Sequence, residues 1–155
     1  MPPTISEEPW DSADGFRLRK DMEVELAARY GIPDQETEKP TAETIEVFLI
    51  ARNSAGEATG CGALKLMSDG MGEIKRMYVV PEARGTGVAT GIVRRLEEHA
   101  RRCGLHTVQL ATGTQQPDAI RFYEREGYER FEGYGPFKGH PEAVFFTRRL
   151  TGGDR

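Results

Sequence analysis

The feature that most restricts how this chain can fold is an apolar strand that runs into a glycine-rich turn, from which a long amphipathic helix begins. The segment reads Tyr78-Val-Val-Pro-Glu-Ala-Arg84-Gly-Thr-Gly87-Val-Ala89. Glycine has no Cβ, so the main chain at Gly85 and Gly87 can approach a ligand closely. The free N–H groups of the first helical turn lie at the positive end of the helix dipole, and Arg84 adds a positive charge. The segment favours phosphate binding, although a tight strand-to-helix connection that binds nothing would use the same glycines.

Two common phosphate-binding loops are excluded by the sequence. The Walker loop needs Gly-Lys followed by Ser or Thr, and no Gly-Lys pair occurs in the chain. The dinucleotide fingerprint needs a third glycine where this chain has Thr90. The remaining pattern, Arg84-x-x-Gly87-x-Ala89, resembles the acetyl-CoA pyrophosphate loop of the GNAT acetyltransferase superfamily, Gln/Arg-x-x-Gly-x-Gly/Ala. The resemblance implies acetyl-CoA as co-substrate, and it assigns cofactor contacts to the strand end, the turn and the first helical turn: Met77, Tyr78, Val79, Arg84, Gly85, Thr86, Gly87, Val88, Ala89 and Thr90.

Length and composition predict one globular domain over residues 1–150, followed by a disordered tail at residues 151–155. The chain has 155 residues, 30% of them charged, and a net charge of −4, which gives no general attraction to nucleic acid or to an anionic membrane. No apolar run is long enough to span a membrane and the start is polar, so a cytoplasmic location is predicted. Cys61 and Cys103 are expected to be reduced, and the three histidines do not form a metal-binding set, so no metal is expected.

Three helices are predicted. The first covers residues 12–30, with Ser12 as its cap, an apolar stripe formed by Phe16, Met22, Leu26 and Tyr30, and Gly31-Ile-Pro33 as its end. Apolar residues at three- and four-residue intervals predict a second helix over residues 86–103. Pro117 opens the third helix, which runs to residue 127.

Residues 46–52, 59–66 and 73–80 predict an antiparallel meander, and residues 106–112, 128–131 and 143–149 predict three further strands. The polar segment 34–43 is interpreted as a loop. The predicted order is β-α-β-β-β-α-β-α-β-β, in which the first strand has no assigned range. The fold class is a mixed α/β sheet flanked by helices, and strands 73–80 and 106–112 can lie parallel and adjacent. The GNAT resemblance implies that the sheet is splayed between these two strands to admit the acyl-pantetheine arm.

The resemblance also assigns two catalytic residues. Glu73 matches the position of a glutamate that acts as general base, often through a water, and its alternative reading is an exposed carboxylate at a strand end. Tyr123 matches a tyrosine that acts as general acid towards the departing thiolate, and its alternative reading is an aromatic core residue. Asp118 and Ala119 match the second family motif beside the pantetheine, where Asp118 replaces the usual asparagine and so accepts a hydrogen bond but does not donate one. Backbone N–H groups of strand 77–79 would stabilise the oxyanion.

These observations favour an acetyl-CoA-dependent N-acetyltransferase that transfers directly to a primary amine in a ternary complex. A small molecule is the preferred acceptor. Acidic residues around Glu23, Glu25, Glu36 and Glu38 could attract a cationic one, although a solvated surface explains them more simply. A protein N-terminus or lysine is a further possible acceptor. A module that binds acyl-CoA without turnover is the competing hypothesis. A homodimer is consistent with the resemblance.

Overall fold

Seven strands form one mixed sheet in the computed structural model, which describes residues 3–33, 36 and 39–150. The predicted tail at residues 151–155 and four residues of the predicted 34–43 loop lie outside this part of the chain. The strand order is β1-β2-β3-β4-β5-β7-β6, and β4 with β5 is the parallel pair. The strands are β1 (Thr4–Glu7), β2 (Val47–Arg52), β3 (Ala58–Leu66), β4 (Met71–Val79), β5 (Thr107–Gly113), β6 (Glu129–Phe131) and β7 (Ala143–Arg149).

The first strand is the element that the sequence pattern located least well. β1 pairs antiparallel with β2, so that Ile5 lies opposite Ala51 and Glu7 opposite Leu49. Its four residues are mostly polar and include one apolar side chain, Ile5, so the pattern offered little to identify them. The predicted order is confirmed, and the structure supplies the missing range.

The three helices agree with prediction to within two residues at each end. Helix α1 is Ala13–Tyr30, capped by the Ser12 side chain, which accepts a hydrogen bond from the Gly15 N–H at 3.0 Å. Helix α2 is Val88–Arg102, and α3 is Pro117–Arg125 with proline in its first turn. Helix α2 begins two residues later than predicted because a short 3-10 turn (Pro81–Ala83) and Gly87, with φ of 88°, precede it.

The buried face of α1 differs from the predicted stripe. Phe16 is 64% exposed, whereas Leu18 is fully buried in a core with Phe48 and Ile50. Residues two positions apart in an α-helix are separated by about 200° around the helix axis, so Phe16 and Leu18 lie on nearly opposite sides of α1. The helix therefore turns Leu18, with Met22 four residues later, towards the sheet.

Strand β4 contains a bulge. Cys61 pairs with Tyr78 but Ala63 pairs with Lys75, so β4 has one more residue than β3 over this stretch. Arg76 is at the bulge and has φ of 56°, which is uncommon for a residue other than glycine. The extra residue changes the alternation of β4: Met77 packs in the core under α2, and Tyr78 packs in the core under α1.

The sheet is split between β4 and β5. Their parallel pairing covers Met71 with Thr107, Gly72 with Val108 and Glu73 with Gln109. Strand β4 then continues along β3 to Val79, and β5 continues along β7 to Gly113, without further pairing to each other. The predicted splay is confirmed, and it begins directly after Glu73.

Helices α2 and α3 pack on one face of the sheet, in the core that includes Ile92, Leu96 and Tyr123, and α1 packs on the other face. Within the described ranges, no helix has both the length and the apolar character needed to cross a membrane. The cytoplasmic location stays a prediction from the sequence.

The buried face of α1 can be tested with a pair of truncations. Leu18→Ala removes a fully buried side chain and should lower the free energy of unfolding by about 2–5 kcal/mol. Phe16→Ala should change it by less than about 0.5 kcal/mol, because the ring is mostly in solvent. Denaturant unfolding followed by circular dichroism measures both values. A larger loss for Phe16→Ala than for Leu18→Ala would contradict the assigned face.

Candidate active site

A cavity of about 430 Å³ lies where β4 and β5 have separated. Its wall combines the end of β4, the glycine turn, the first turn of α2, helix α3 and the second half of α1. Of the twelve residues with a predicted cofactor role, only Thr86 is not part of this wall. The eleven that line it are Met77, Tyr78, Val79, Arg84, Gly85, Gly87, Val88, Ala89, Thr90, Asp118 and Ala119. These assignments came from two separate segments of sequence, and the fold brings the segments to one cavity.

The glycine turn gives the cavity an anion-binding backbone. Gly85 has φ of 79° and Gly87 has φ of 88°, a region that residues with a Cβ rarely adopt. Gly87 precedes the first residue of α2, and no side chain caps the helix there. The N–H groups of the first turn are therefore available to a ligand at the positive end of the helix dipole. Thr86, outside the cavity wall, donates its hydroxyl proton to the Ala83 carbonyl oxygen and stabilises the turn.

Arg84 is less available than the sequence suggested. Its Nε donates to the Val79 carbonyl oxygen at 2.9 Å, and its Nη2 donates to the Glu25 carboxylate of α1 at 2.7 Å. The guanidinium therefore joins the turn to α1 on either side of the cavity mouth. Its charge is partly neutralised by Glu25 before any ligand arrives.

Tyr123 lies in the wall of the cavity and is nearly buried. Its ring packs edge-on against Tyr128 at 5.5 Å, and Tyr128 donates a hydrogen bond of 2.6 Å to the buried carboxylate of Glu97. Burial raises the pKa of the Tyr123 phenol above its usual value of about 10, so the hydroxyl stays protonated at neutral pH. A protonated phenol on a residue of the cavity wall has the form that a proton donor needs.

Glu73 is outside the cavity wall, at the last paired position before the split. Its carboxylate accepts a hydrogen bond of 2.7 Å from the Tyr134 hydroxyl and lies 3.5 Å from Lys75 Nζ. Burial, followed by the negative charge of Glu73, raises the pKa of Tyr134. Tyr134 lies in the connection between β6 and β7, and its hydroxyl contacts the predicted base directly.

Three of the acidic residues expected to attract a cationic acceptor have basic partners, and the fourth, Glu38, lies outside the described residues. Glu36 lies between Lys75 Nζ and Arg76 Nη2, at 2.6 Å from each. Glu25 pairs with Arg84 and Arg29, and Glu23 lies 3.8 Å from Lys39. The predicted negative surface is thus neutralised at these three positions, and charged groups of both signs surround the split.

Several wall residues carried no sequence motif. They come from α1 and α3 and are Met22, Leu26, Arg29, Arg121, Phe122 and Arg125. At the end of α1, the Tyr30 hydroxyl accepts hydrogen bonds from the Gln115 N–H at 3.2 Å and from the Gln116 side chain at 3.3 Å. Helix α1 thereby contacts the β5-α3 connection across the split. Helical periodicity placed these residues on a helix, but only tertiary packing turns them to the cavity.

Neither cysteine is placed to act as a nucleophile in the cavity. Cys61 is buried and donates to the Arg76 carbonyl oxygen at 3.3 Å, and burial raises the pKa of its thiol to about 12. Cys103 lies at the end of α2, where its sulfur is 3.8 Å from Glu46, and desolvation followed by that carboxylate raises its pKa. Both cysteines are free thiols.

The Cys103 sulfur, the Glu46 carboxylate and the His99 imidazole lie within 4.8 Å of one another. His99 and Glu46 form a direct contact of 3.0 Å, which accounts for their proximity. None of these three residues is part of the cavity wall, and the absence of a metal requirement stays a prediction.

Residues 6–128 match the Acetyltransferase (GNAT) family. The chain is 38% identical to an IAA acetyltransferase of Azospirillum brasilense over 104 residues, 66% of this chain and 67% of that protein. It is 34% identical to an aminoalkylphosphonate N-acetyltransferase of Salmonella typhimurium over 80 residues, 48% of this chain and 52% of that protein. A crystal structure from Klebsiella pneumoniae, described as an acyl-CoA N-acyltransferase, superposes with a TM-score of 0.84 at 30% identity and covers 96% of this chain and 98% of that one.

The chain therefore belongs to the GNAT family of acetyltransferases. Members of this family take the acetyl group from acetyl-CoA as co-substrate. The residues present fit this molecule, because a Cβ built at Gly85 or Gly87 would project into open space where a ligand can approach the main chain. The split offers unpaired strand edges to a pantetheine arm, whose amides can supply the missing hydrogen bonds.

The role of the glycine turn can be separated from its backbone strain. Gly87→Ala should lower the stability by about 1–2 kcal/mol, because alanine disfavours a positive φ, and should weaken acetyl-CoA binding at least about tenfold, because the new methyl group stands where the ligand approaches. Gly104→Ala, at φ of 80° beyond the end of α2, should cost similar stability and leave the affinity unchanged. Calorimetric titration with acetyl-CoA, together with thermal unfolding, measures both quantities. Equal affinities in the two variants would exclude a close approach at Gly87.

Proposed function

We propose that this protein is an N-acetyltransferase that transfers the acetyl group of acetyl-CoA directly to the primary amine of a small molecule. The observation that carries the proposal is the position of Tyr123 and Glu73 around one split. Tyr123 is in the cavity wall beside the glycine turn, and Glu73 stands where β4 and β5 begin to separate. A module that only binds acyl-CoA needs the turn but neither of these two groups.

Glu73 acts on the incoming amine. An alkyl ammonium with a pKa near 10.4 is neutral in about one molecule per thousand at pH 7, so an acceptor for its proton increases the reactive fraction. The carboxylate of Glu73 is not part of the cavity wall, so the amine is proposed to give its proton to Glu73 through a water. The Tyr134 hydroxyl donates a hydrogen bond of 2.7 Å to this carboxylate, and Lys75 Nζ lies 3.5 Å from it, so two groups hold it in position.

Tyr123 acts on the leaving group, the thiolate of CoA. When the amine nitrogen attacks the thioester carbonyl and the carbon–sulfur bond breaks, the negative charge develops on sulfur, and the phenol gives its proton there. Acetyl-CoA supplies the activated acyl group. Backbone N–H groups at Met77 and Val79 are the proposed donors to the carbonyl oxygen, since β5 has left this side of β4.

The acceptor is a small molecule rather than a polypeptide in this proposal. The relative from Salmonella typhimurium is named for aminoalkylphosphonates, which combine an amine with an acid in one short molecule. Nucleic acid or membrane partners are not part of the proposal, and homodimer formation remains a sequence-based prediction.

The two catalytic assignments predict distinct kinetic effects. Tyr123→Phe removes the proton donor and should lower kcat by about 10²–10⁴-fold with little change in acetyl-CoA affinity. Glu73→Gln should lower kcat by a similar factor near neutral pH, and raising the pH should recover part of the loss because more of the amine is then neutral. Release of CoA, followed with a thiol reagent over pH 6–10, measures these effects.

The wild-type rate should not decline below about pH 10 through loss of the Tyr123 proton, because burial places the pKa of this phenol above its usual value.

Acetyl-CoA binding with no turnover on amino acids, aminoalkyl acids, polyamines and lysine peptides would favour the sensor hypothesis. Turnover that is undiminished in both variants would leave the enzyme class intact and remove these two assignments.

Direct transfer predicts that no acyl-enzyme forms. The double variant Cys61→Ala, Cys103→Ala should retain turnover within a few-fold of wild type, since a thiol with a pKa near 12 is almost entirely protonated at pH 7. Initial rates measured against both substrates should give intersecting lines, and no CoA should be released before an amine is added. Parallel lines with a stoichiometric burst of CoA would establish a covalent route instead.

A further inference from the structure

Lys75 and Arg76 hold one carboxylate between them. Glu36 Oε2 lies 2.6 Å from Lys75 Nζ, and Glu36 Oε1 lies 2.6 Å from Arg76 Nη2. The side chains of both basic residues are 14% exposed. Short contacts between charged groups at low exposure are strong, and the two cations bind both oxygens of a single carboxylate.

The β-bulge makes this arrangement possible. Consecutive residues of a regular strand point to opposite faces of the sheet, so Lys75 and Arg76 would not reach the same group. Arg76 adopts φ of 56° at the bulge, and its side chain joins that of Lys75 on Glu36. Unfavourable backbone conformations of this kind concentrate at ligand-binding positions.

The paired cations adjoin the proposed base. Lys75 Nζ lies 2.6 Å from Glu36 Oε2 and 3.5 Å from Glu73 Oε2. The two carboxylate oxygens are therefore no farther apart than about 6 Å, the limit set by these two contacts. An anion in the place of the Glu36 carboxylate would lie within one short carbon chain of an amine that gives its proton to Glu73.

We propose that Lys75 and Arg76 form an anion subsite for the acceptor, and that the acceptor is a short aminoalkyl carboxylate or phosphonate. The Glu36 carboxylate occupies the subsite in the unliganded protein, and the acid group of the acceptor displaces it. The inference rests on the proposed function, because it assumes that Glu73 receives the proton of the amine.

Charge balance supports this class of acceptor over a polyamine. The acid group of the acceptor makes the same two contacts as the Glu36 carboxylate and leaves the charge beside Glu73 unchanged. A second ammonium group at this point would instead meet Lys75 and Arg76 at close range, which is unfavourable in a partly buried site. Glu23 and Glu25, two other acids predicted to attract a cation, already have basic partners.

The test compares matched acceptors at saturating acetyl-CoA. 3-Aminopropanoic acid and its carboxamide share one amine and differ in the acid group, with 2-aminoethylphosphonate and 1,4-diaminobutane as further probes. We expect kcat/KM for the acids to exceed that for the carboxamide by about 10- to 100-fold, the value of a charge-assisted contact, and to be lowest for the diamine. Lys75→Gln and Arg76→Gln should each reduce the acid-to-amide ratio of kcat/KM about tenfold.

Glu36→Gln removes the competing carboxylate and should lower KM for the acids about threefold or more without changing KM for the carboxamide. Glu98→Gln, which makes the same charge change on the exposed surface of α2, should have no effect on either. An acid-to-amide ratio near one in wild type, or one unaffected by both cation variants, overturns the subsite while leaving an amine acetyltransferase in place. Absence of turnover with every amine overturns the proposed function itself.

Discussion

The site depends on the short pairing between β4 and β5. Three residue pairs join these strands, and each strand then follows a different neighbour, β4 along β3 and β5 along β7. Because backbone groups at a strand edge need hydrogen-bond partners, an open split can persist only where water or a ligand supplies them. The cavity, the exposed edge of β4 and the position of Glu73 all follow from where the pairing stops.

The split remains open because each side has its own support. Helices α2 and α3 pack with both β4 and β5 on one face, in the core that contains Ile92, Leu110 and Tyr123. On the other face, α1 packs against β3 and β4, and its Tyr30 hydroxyl contacts the connection that follows β5. These contacts fix the separation of the strands without closing it.

The bulge in β4 has two effects on the same strand. It places Met77 and Tyr78 on the faces where each packs in a core, and it brings the Arg76 side chain to the same carboxylate as Lys75. A regular strand would satisfy the hydrogen bonds of β4 more simply but would reverse the faces of residues 77 and 78. The bulge that gives Arg76 its unfavourable φ therefore produces both the core packing of Met77 and Tyr78 and the charge cluster beside Glu73.

The sequence by itself determined the elements with strong hydrophobic periodicity and the glycine turn, whose backbone conformation requires glycine. The repeat along α2, the proline at the start of α3 and the glycines after β4 each state a local requirement, and local requirements are readable from neighbouring residues. Family resemblance added the splay and the candidate residues Glu73 and Tyr123. The range of the polar strand β1 and the burial of Leu18 instead of Phe16 were missed, because each depends on what the rest of the chain covers.

Only the tertiary structure decided the electrostatics of the site. The sequence presented Glu25 and Glu36 as available negative charges and Arg84 as an available positive one, yet the fold pairs Glu25 with Arg84 and Glu36 with Lys75 and Arg76. Residues 39 or more positions apart in the chain make these contacts. A local pattern specifies which charges a chain carries, but the distance between charges sets their energy, and that distance exists only once the elements have packed.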